Sequence, residues 1–207
     1  MRKARSGKGR NSISIAAIGI VTTIAISSTG AFADTWQIDP THSLVEFSVR
    51  HMMISNVKGV FEKVGGTITT TGNDPNSAKM EITIDANSLN TRVAMRDKDL
   101  KSANFLDVEK YPTIAFKSKK VEPAGEGKWK VTGDLTLHGV TKEVVLNIAG
   151  PTPVIKDPWG NTRAGASATT TINRQDFGMT FNKMLETGGA VVANEVAVSI
   201  EVEAVKK

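Results

Sequence analysis

Cysteine is absent from all 207 residues. That excludes a disulfide framework, a zinc–thiolate centre and a cysteine nucleophile, so the fold must be held by its core alone. Histidine is scarce as well. His42, His51 and His138 are the only three, and none stands at an H-x-H or H-x-x-x-H spacing that would set up a local metal site. No G-x-S-x-G elbow occurs. The glycine run "VGGTI" lacks the lysine and the following helix of a phosphate-binding loop. No internal repeat or low-complexity linker divides the chain. A surplus of charge is missing too, once the amino terminus is set aside. Arg2, Lys3, Arg5, Lys8 and Arg10 precede the first acid, Asp34. Taking those five from the 26 basic residues leaves 21, equal to the 21 acidic ones. A neutral body gives no electrostatic grip on nucleic acid.

The amino terminus has its own logic. The basic stretch leads into "SISIAAIGIVTTIAIS", an apolar run too short and too rich in small residues to span a bilayer comfortably. It ends in "STGAFAD", where Ala31 and Ala33 flank Phe32 in the A-x-A pattern of a signal-peptidase site. Residues 1–33 read as a secretory signal cleaved near Ala33–Asp34. With no cysteine beside it, the site is not a lipoprotein one. The expected product, residues 34–207, is exported to the periplasm or beyond the cell and keeps no stable membrane anchor.

From Asp34 onward the pattern is β almost throughout. Val45, Phe47 and Val49 alternate with Glu46, Ser48 and Arg50. Met80, Ile82 and Ile84 share a face, as do Ile114 with Phe116, and Val196, Val198, Ile200 and Val202. "RAGASATTTIN" alternates small residues, and His138–Gly139 marks a turn between two strands. Seven to nine strands at meander spacing predict an all-β, antiparallel sandwich or barrel. One stretch, residues 90–112, has helical composition, with Thr91 as its amino-terminal cap and Val93 and Leu100 on one face. Arg96 and Asp97 lie between them, read either as a structural ion pair or as a polar mouth over a cavity.

"WQIDPTHSLVEFSVRHMMISNVKGVFEKVGGTI" resembles the opening of the YceI-like, polyisoprenoid-binding family. The likeness continues through "RDKDLKSANFLDVEKYPTIAFKS", "GDLTLHGVTKEVVLNIAG", "DPWGNTRAGASATTTINRQDFGM" and "NEVAVSIEVEA", in that order, from Trp36 to about Ala204. The resemblance implies an extended lipocalin-like antiparallel β-barrel with one or two short helices. It also implies an elongated apolar pore for an isoprenoid or acyl chain. It makes a homodimer reasonable. Family members often carry His where Asp99 stands and Asp where Asn104 stands, so any role of a histidine at 99 does not carry over.

A secreted carrier of a long-chain isoprenoid, quinone or fatty-acid-like lipid is therefore the expected function. No cofactor, metal or nucleic acid is called for beyond that ligand. The alternatives are a lipid-modifying enzyme using polar groups at the barrel mouth and an interaction protein with a filled barrel. Candidate cavity residues are Val45, Phe47, Val49, Met53, Phe61, Ile82, Ile84, Phe116, Phe177, Met179 and Phe181. Candidate head-group contacts are His51, Arg96 and Asp97. The apolar knot Met52–Ile54 is expected to form a soft lip beside His51, with methionine suiting a variable ligand.

Overall fold

The computed structural model describes Met1 and residues 33–207 apart from positions 73 and 187. The predicted signal segment, but for its two end residues, lies outside the described residues. The strands are β1 (Ala33–Ile38), β2 (Leu44–His51), β3 (Ser55–Phe61), β4 (Val64–Thr71), β5 (Asp74–Asp85) and β6 (Leu89–Asn90). The helix α1 (Ala94–Lys101) follows. Then come β7 (Thr113–Pro123), β8 (Lys128–Leu137), β9 (Val140–Ala149), β10 (Ile155–Lys156), β11 (Thr162–Asn173) and β12 (Val192–Lys206). Single 3₁₀ turns lie at Ala86–Ser88 and Arg174–Phe177.

All pairings are antiparallel, and β12 closes the ring. One of its edges pairs with β11, from Arg163↔Val205 to Asn173↔Glu195. Its other edge pairs first with β2, from Val49↔Val196 to Leu44↔Glu201, then with β1 at Ile38↔Ala204. β1 and β2 thus act as one stave broken at Asp39–Ser43, and β3 and β4 as the next. With β5, β7, β8, β9, β11 and β12 they make an eight-stave closed barrel. Closure leaves few unpaired edge groups. The twelve strands exceed the predicted seven to nine because two staves are split and β6 and β10 are two-residue additions.

Alternation sets the faces. Every apolar row read from the sequence points inward, while Lys117–Glu81 and Lys119–Asp134 form ion pairs on the outer surface. Apolar inside and polar outside is the reverse of a membrane-spanning barrel. Gly66 is required within β4: its φ is 133°, and a Cβ there would collide with the Glu81 carbonyl oxygen. The β8–β9 turn uses His138 at φ 52° and Gly139 at φ 74°, as expected.

Two local expectations are corrected. The helical stretch yields only eight residues of α1. Its amino-terminal cap position is Val93, not Thr91, and no side chain caps it. Val93 is 46% exposed, so it does not share a buried face with Leu100. Thr91 is instead buried and tied to Asp97. The second correction is the Met52–Met53 knot, which forms the β2–β3 hairpin turn. The Ile54 N–H donates to the His51 carbonyl at 3.1 Å. Met52 and Met53 sit at φ 49° and 62°, the left-handed pair that such turns usually fill with Asn and Gly. The Arg50 guanidinium donates to the Met53 carbonyl at 3.0 Å and steadies the turn.

The densest packing lies at the α1 end. Val45, Phe61, Leu89, Leu106, Ile114, Leu137, Ile172, Phe177 and Met179 form one buried cluster there. Phe177, 2% exposed, is at its centre. Truncation would leave a void among neighbours held by strand pairing. Phe177→Ala should therefore cost about 3–5 kcal/mol of unfolding free energy, measured by denaturant titration.

Candidate functional site

Above that packed floor a smaller buried cluster of Phe116, Val131 and Leu146 lines β7–β9, and side chains do not fill the barrel axis. An apolar cavity of about 530 Å³ runs along its axis, within the roughly 300–1,000 Å³ range of small-molecule sites. The small residues of β11 create this space. Ala164, Ala166, Ala168, Thr170 and Ile172 face inward and pair in turn with Ala204, Val202, Ile200, Val198 and Val196 of β12. Three methyl side chains in a row cannot reach the barrel axis, so the opposite wall has no partner. The wall across the axis, on β5 and β7, carries Ile82, Ile84 and Phe116.

The two ends of the cavity differ. At the α1 end its wall residues Leu89, Phe105, Leu106, Ile114, Met179 and Arg174 are buried. At the other end the wall residues Gly72, Pro151, Thr152, Pro153 and Val154 are exposed. The cavity is thus closed beneath α1 and opens between the β4–β5 turn and the strap that follows β9. Trp36 and Trp129 line the approach. The Trp129 indole N–H donates to the Gly150 carbonyl at 2.9 Å and fixes the start of the strap.

The predicted residues divide accordingly. Val45, Phe47, Val49, Phe61, Ile82, Ile84, Phe116 and Met179 lie on the cavity wall. Phe177, Phe181 and Met53 do not. Phe177 is sealed in the floor, Phe181 packs edge-on against Phe105 at 5.3 Å, and Met53 is 55% exposed on its hairpin turn. "FGMTF" alternates like a strand, yet it turns through a 3₁₀ helix and a left-handed Gly178, which breaks the shared face. His51, Arg96 and Asp97 are not brought together on the wall either. His51 ends β2 opposite Ser55. Asp97 accepts from the Thr91 N–H at 2.8 Å and the Thr91 hydroxyl at 2.5 Å. Arg96 donates to the Thr91 hydroxyl and carbonyl, both at 2.8 Å. This network fastens the entry to α1, at the closed end, so the expectation that these residues ring an opening is corrected.

A family model described as the YceI-like domain matches residues 36–204. The chain belongs to the YceI-like family. A UPF0312 protein of Pseudomonas putida strain W619 is 38% identical over 187 residues, covering 89% of this chain and 93% of its own length. One from Pseudomonas savastanoi pv. phaseolicola is 40% identical over 168 residues, 80% of this chain and 86% of the relative. Among solved structures, a YceI protein of Campylobacter jejuni shares 34% identity at TM-score 0.64, covering 76% of this chain and 89% of that one. A polyisoprenoid-binding domain from Saccharophagus degradans, described as implicated in plant cell wall breakdown, superposes at TM-score 0.61 with 18% identity, which speaks for the fold. It covers 83% of this chain and 98% of that one.

Two arginines of this YceI-like domain were not singled out by sequence reasoning. Arg174, 3% exposed, is the one ionisable side chain on the cavity wall among the described residues. It donates to the carbonyls of Ala193, Met179, Phe181 and Val192 and to the Asn194 side chain. These bonds employ all five guanidinium N–H groups. They pin the Met179–Phe181 segment to the start of β12 and so close the floor. Burial pushes its pKa down from the ordinary arginine value. The second, Arg163, sits near the mouth. It bonds Asp39 at 2.7 Å, Asp157 at 2.7 Å and Glu203. Asp39, His42 and Glu203 bring ligand atoms within 4.8 Å of one another, a grouping that could hold a metal ion. The guanidinium stands at that grouping as the balancing cation. It ties the β1–β2 turn, the end of β12 and the mouth loop into one unit.

The Thr41 hydroxyl, the Arg163 guanidinium and His42 hold the Asp39 carboxyl well below the usual carboxylate range. Burial would raise Asp157, but hydrogen bonds from Asn161 and Arg163 outweigh it and lower its pKa to about 2. A depressed carboxylate stabilises the fold above its unfolded pKa, and that stability is lost as pH falls through the folded value. Stability from this cluster should hold down to about pH 4 and then decline toward pH 2. In Arg163→Met, Asp39 keeps its bonds from Thr41 and His42, and Asp157 keeps those from Asn161 and Trp159, so the depression of both carboxyls shrinks but does not invert. The loss of stability between about pH 4 and pH 2 should then be shallower than in the wild type. Melting curves across this range compare the two slopes.

Proposed function

We propose that this protein is an exported carrier that holds one long-chain lipid, of polyisoprenoid, quinone or fatty-acid type, inside the barrel. The tail lies toward the α1 floor and the polar end at the strap. The observation that carries this reading is the form of the cavity: apolar along its length, closed at one end and open at the other. From Val196 to Ala204 its wall on β12 runs about 27 Å along the strand, a shape for a chain rather than for a compact solute. Each buried methylene contributes roughly 0.8 kcal/mol of gross driving force. Most of that is offset by what the chain gives up in a membrane and by its ordering in the pore.

Binding rather than catalysis fits the wall chemistry. Arg174 has every donor engaged by protein oxygens, so it is unsuited to acid–base work. The name of the Saccharophagus degradans neighbour, a polyisoprenoid-binding domain, supports the ligand class. Export rests on the basic, apolar, A-x-A order of residues 1–33.

Mass spectrometry of organic extracts from the purified protein should find a long-chain lipid near one per chain. Ala168→Phe adds a ring to the cavity wall where the flanking inward residues, Ala166 and Thr170, are small. It should abolish the copurified lipid while the melting temperature stays within a few degrees of wild type. An unchanged lipid content in Ala168→Phe, or no lipid in the wild type with no uptake of added fatty acid or quinone, would reject the carrier reading.

A further inference from the structure

The strap that borders the cavity mouth does more than line it. Val154, on the cavity wall, is 55% exposed. Its neighbour Ile155 is 60% exposed, and Trp159 is 81% exposed. Pro151 and Pro153 complete this edge. A tryptophan bared to water is unusual for so large an apolar ring. Trp36 and Trp129, by contrast, are half-buried on the wall.

The loop that bears Trp159 is firmly held. The Asp157 carboxylate accepts from the backbone N–H groups of Trp159 at 2.9 Å and Asn161 at 2.8 Å. It also accepts from the Asn161 side chain at 2.9 Å and from Arg163 at 2.7 Å. The indole is thus presented outward by a braced turn. Nearby, Lys156 in β10 and Lys128 at the β7–β8 tip are exposed, and neither has an ion-pair partner among the described residues.

We infer that this strap is a membrane-docking surface that seats the open end of the barrel on the head-group layer of a bilayer. The inference rests on the carrier reading. The bilayer is favoured as occupant because the exposed patch is continuous with the cavity wall through Val154. A lipid could pass from the acyl region into the pore without exposing its methylenes to water. An outward tryptophan and adjacent free lysines suit the boundary between acyl chains and phosphates. The attachment is reversible, since one aromatic and a few apolar side chains do not make a permanent anchor.

The test uses sucrose-loaded vesicles of phosphatidylcholine with phosphatidylglycerol, some bearing brominated acyl chains. Wild-type protein should pellet with the vesicles, and bromine should quench part of its tryptophan emission. Trp159→Ala should lower partitioning by about tenfold or more and remove the quenching. Trp159→Phe should fall between the two. A double variant at the closed end, Ile54→Ser with Met184→Ser, removes apolar side chains that are each 75% exposed and should partition like wild type. Wild type remaining in the supernatant, Trp159→Ala partitioning normally, or a loss confined to the closed-end variant would overturn the inference. So would a wild-type dimer in sedimentation velocity that Trp159→Ala makes monomeric, because a second copy would then own the patch. Uptake of a fluorescent fatty acid from vesicle-free solution is measured in parallel. Normal uptake without vesicle binding defeats the docking inference alone, whereas absent uptake by the wild type defeats the carrier reading.

Discussion

The pairing of β11 with β12 is the constraint on which the rest depends. It closes the barrel, and it also sets a row of methyl and hydroxyl side chains against a row of valines and isoleucine. Closure satisfies the backbone, so the interior can remain apolar without an unpaired strand edge. The small row denies the interior enough side-chain volume to fill it. A barrel of eight staves can ordinarily be packed solid by its own residues. Here the larger buried cluster forms at the floor, around Phe177 and Met179, where Arg174 draws the chain across, and a smaller one gathers around Phe116, Val131 and Leu146.

The two ends of the tube are held by different means. The buried cluster lies beneath α1, and there the Arg96–Asp97–Thr91 network serves the architecture. The open end is organised by charge instead, with Arg163 drawing three carboxylates from separate parts of the chain. That arrangement holds the apolar mouth in form above only a small buried cluster of Phe116, Val131 and Leu146. The strap and its tryptophan depend on this ionic knot rather than on packing.

Much of the barrel was legible in the sequence because alternation is a local signal. Val45–Phe47–Val49, Met80–Ile82–Ile84 and Val196–Val198–Ile200–Val202 each need only a period of two to declare an inward face. The alternating small residues of β11 were visible as well, yet their meaning depends on what lies across the axis. Phe177 and Phe181 misled because a left-handed glycine between them destroys the period. Arg96 and Asp97 misled because an adjacent charge pair looks the same whether it edges an opening or closes a loop. Membership of the YceI-like family was carried by ordered motifs along the whole chain. The polarity of the cavity was not, since which end is closed depends on the tertiary packing of residues 86–112 and 174–181.

In the carrier reading a lipid chain enters from the strap and points its tail at the α1 floor. Amide NMR with fatty acids carrying a nitroxide tests it directly. A label at the methyl end should broaden Ile114, Leu137 and Ile172, while one near the carboxylate should broaden Ala78, Thr152 and Val154. The reverse pattern, or broadening confined to the outer surface, would contradict the account.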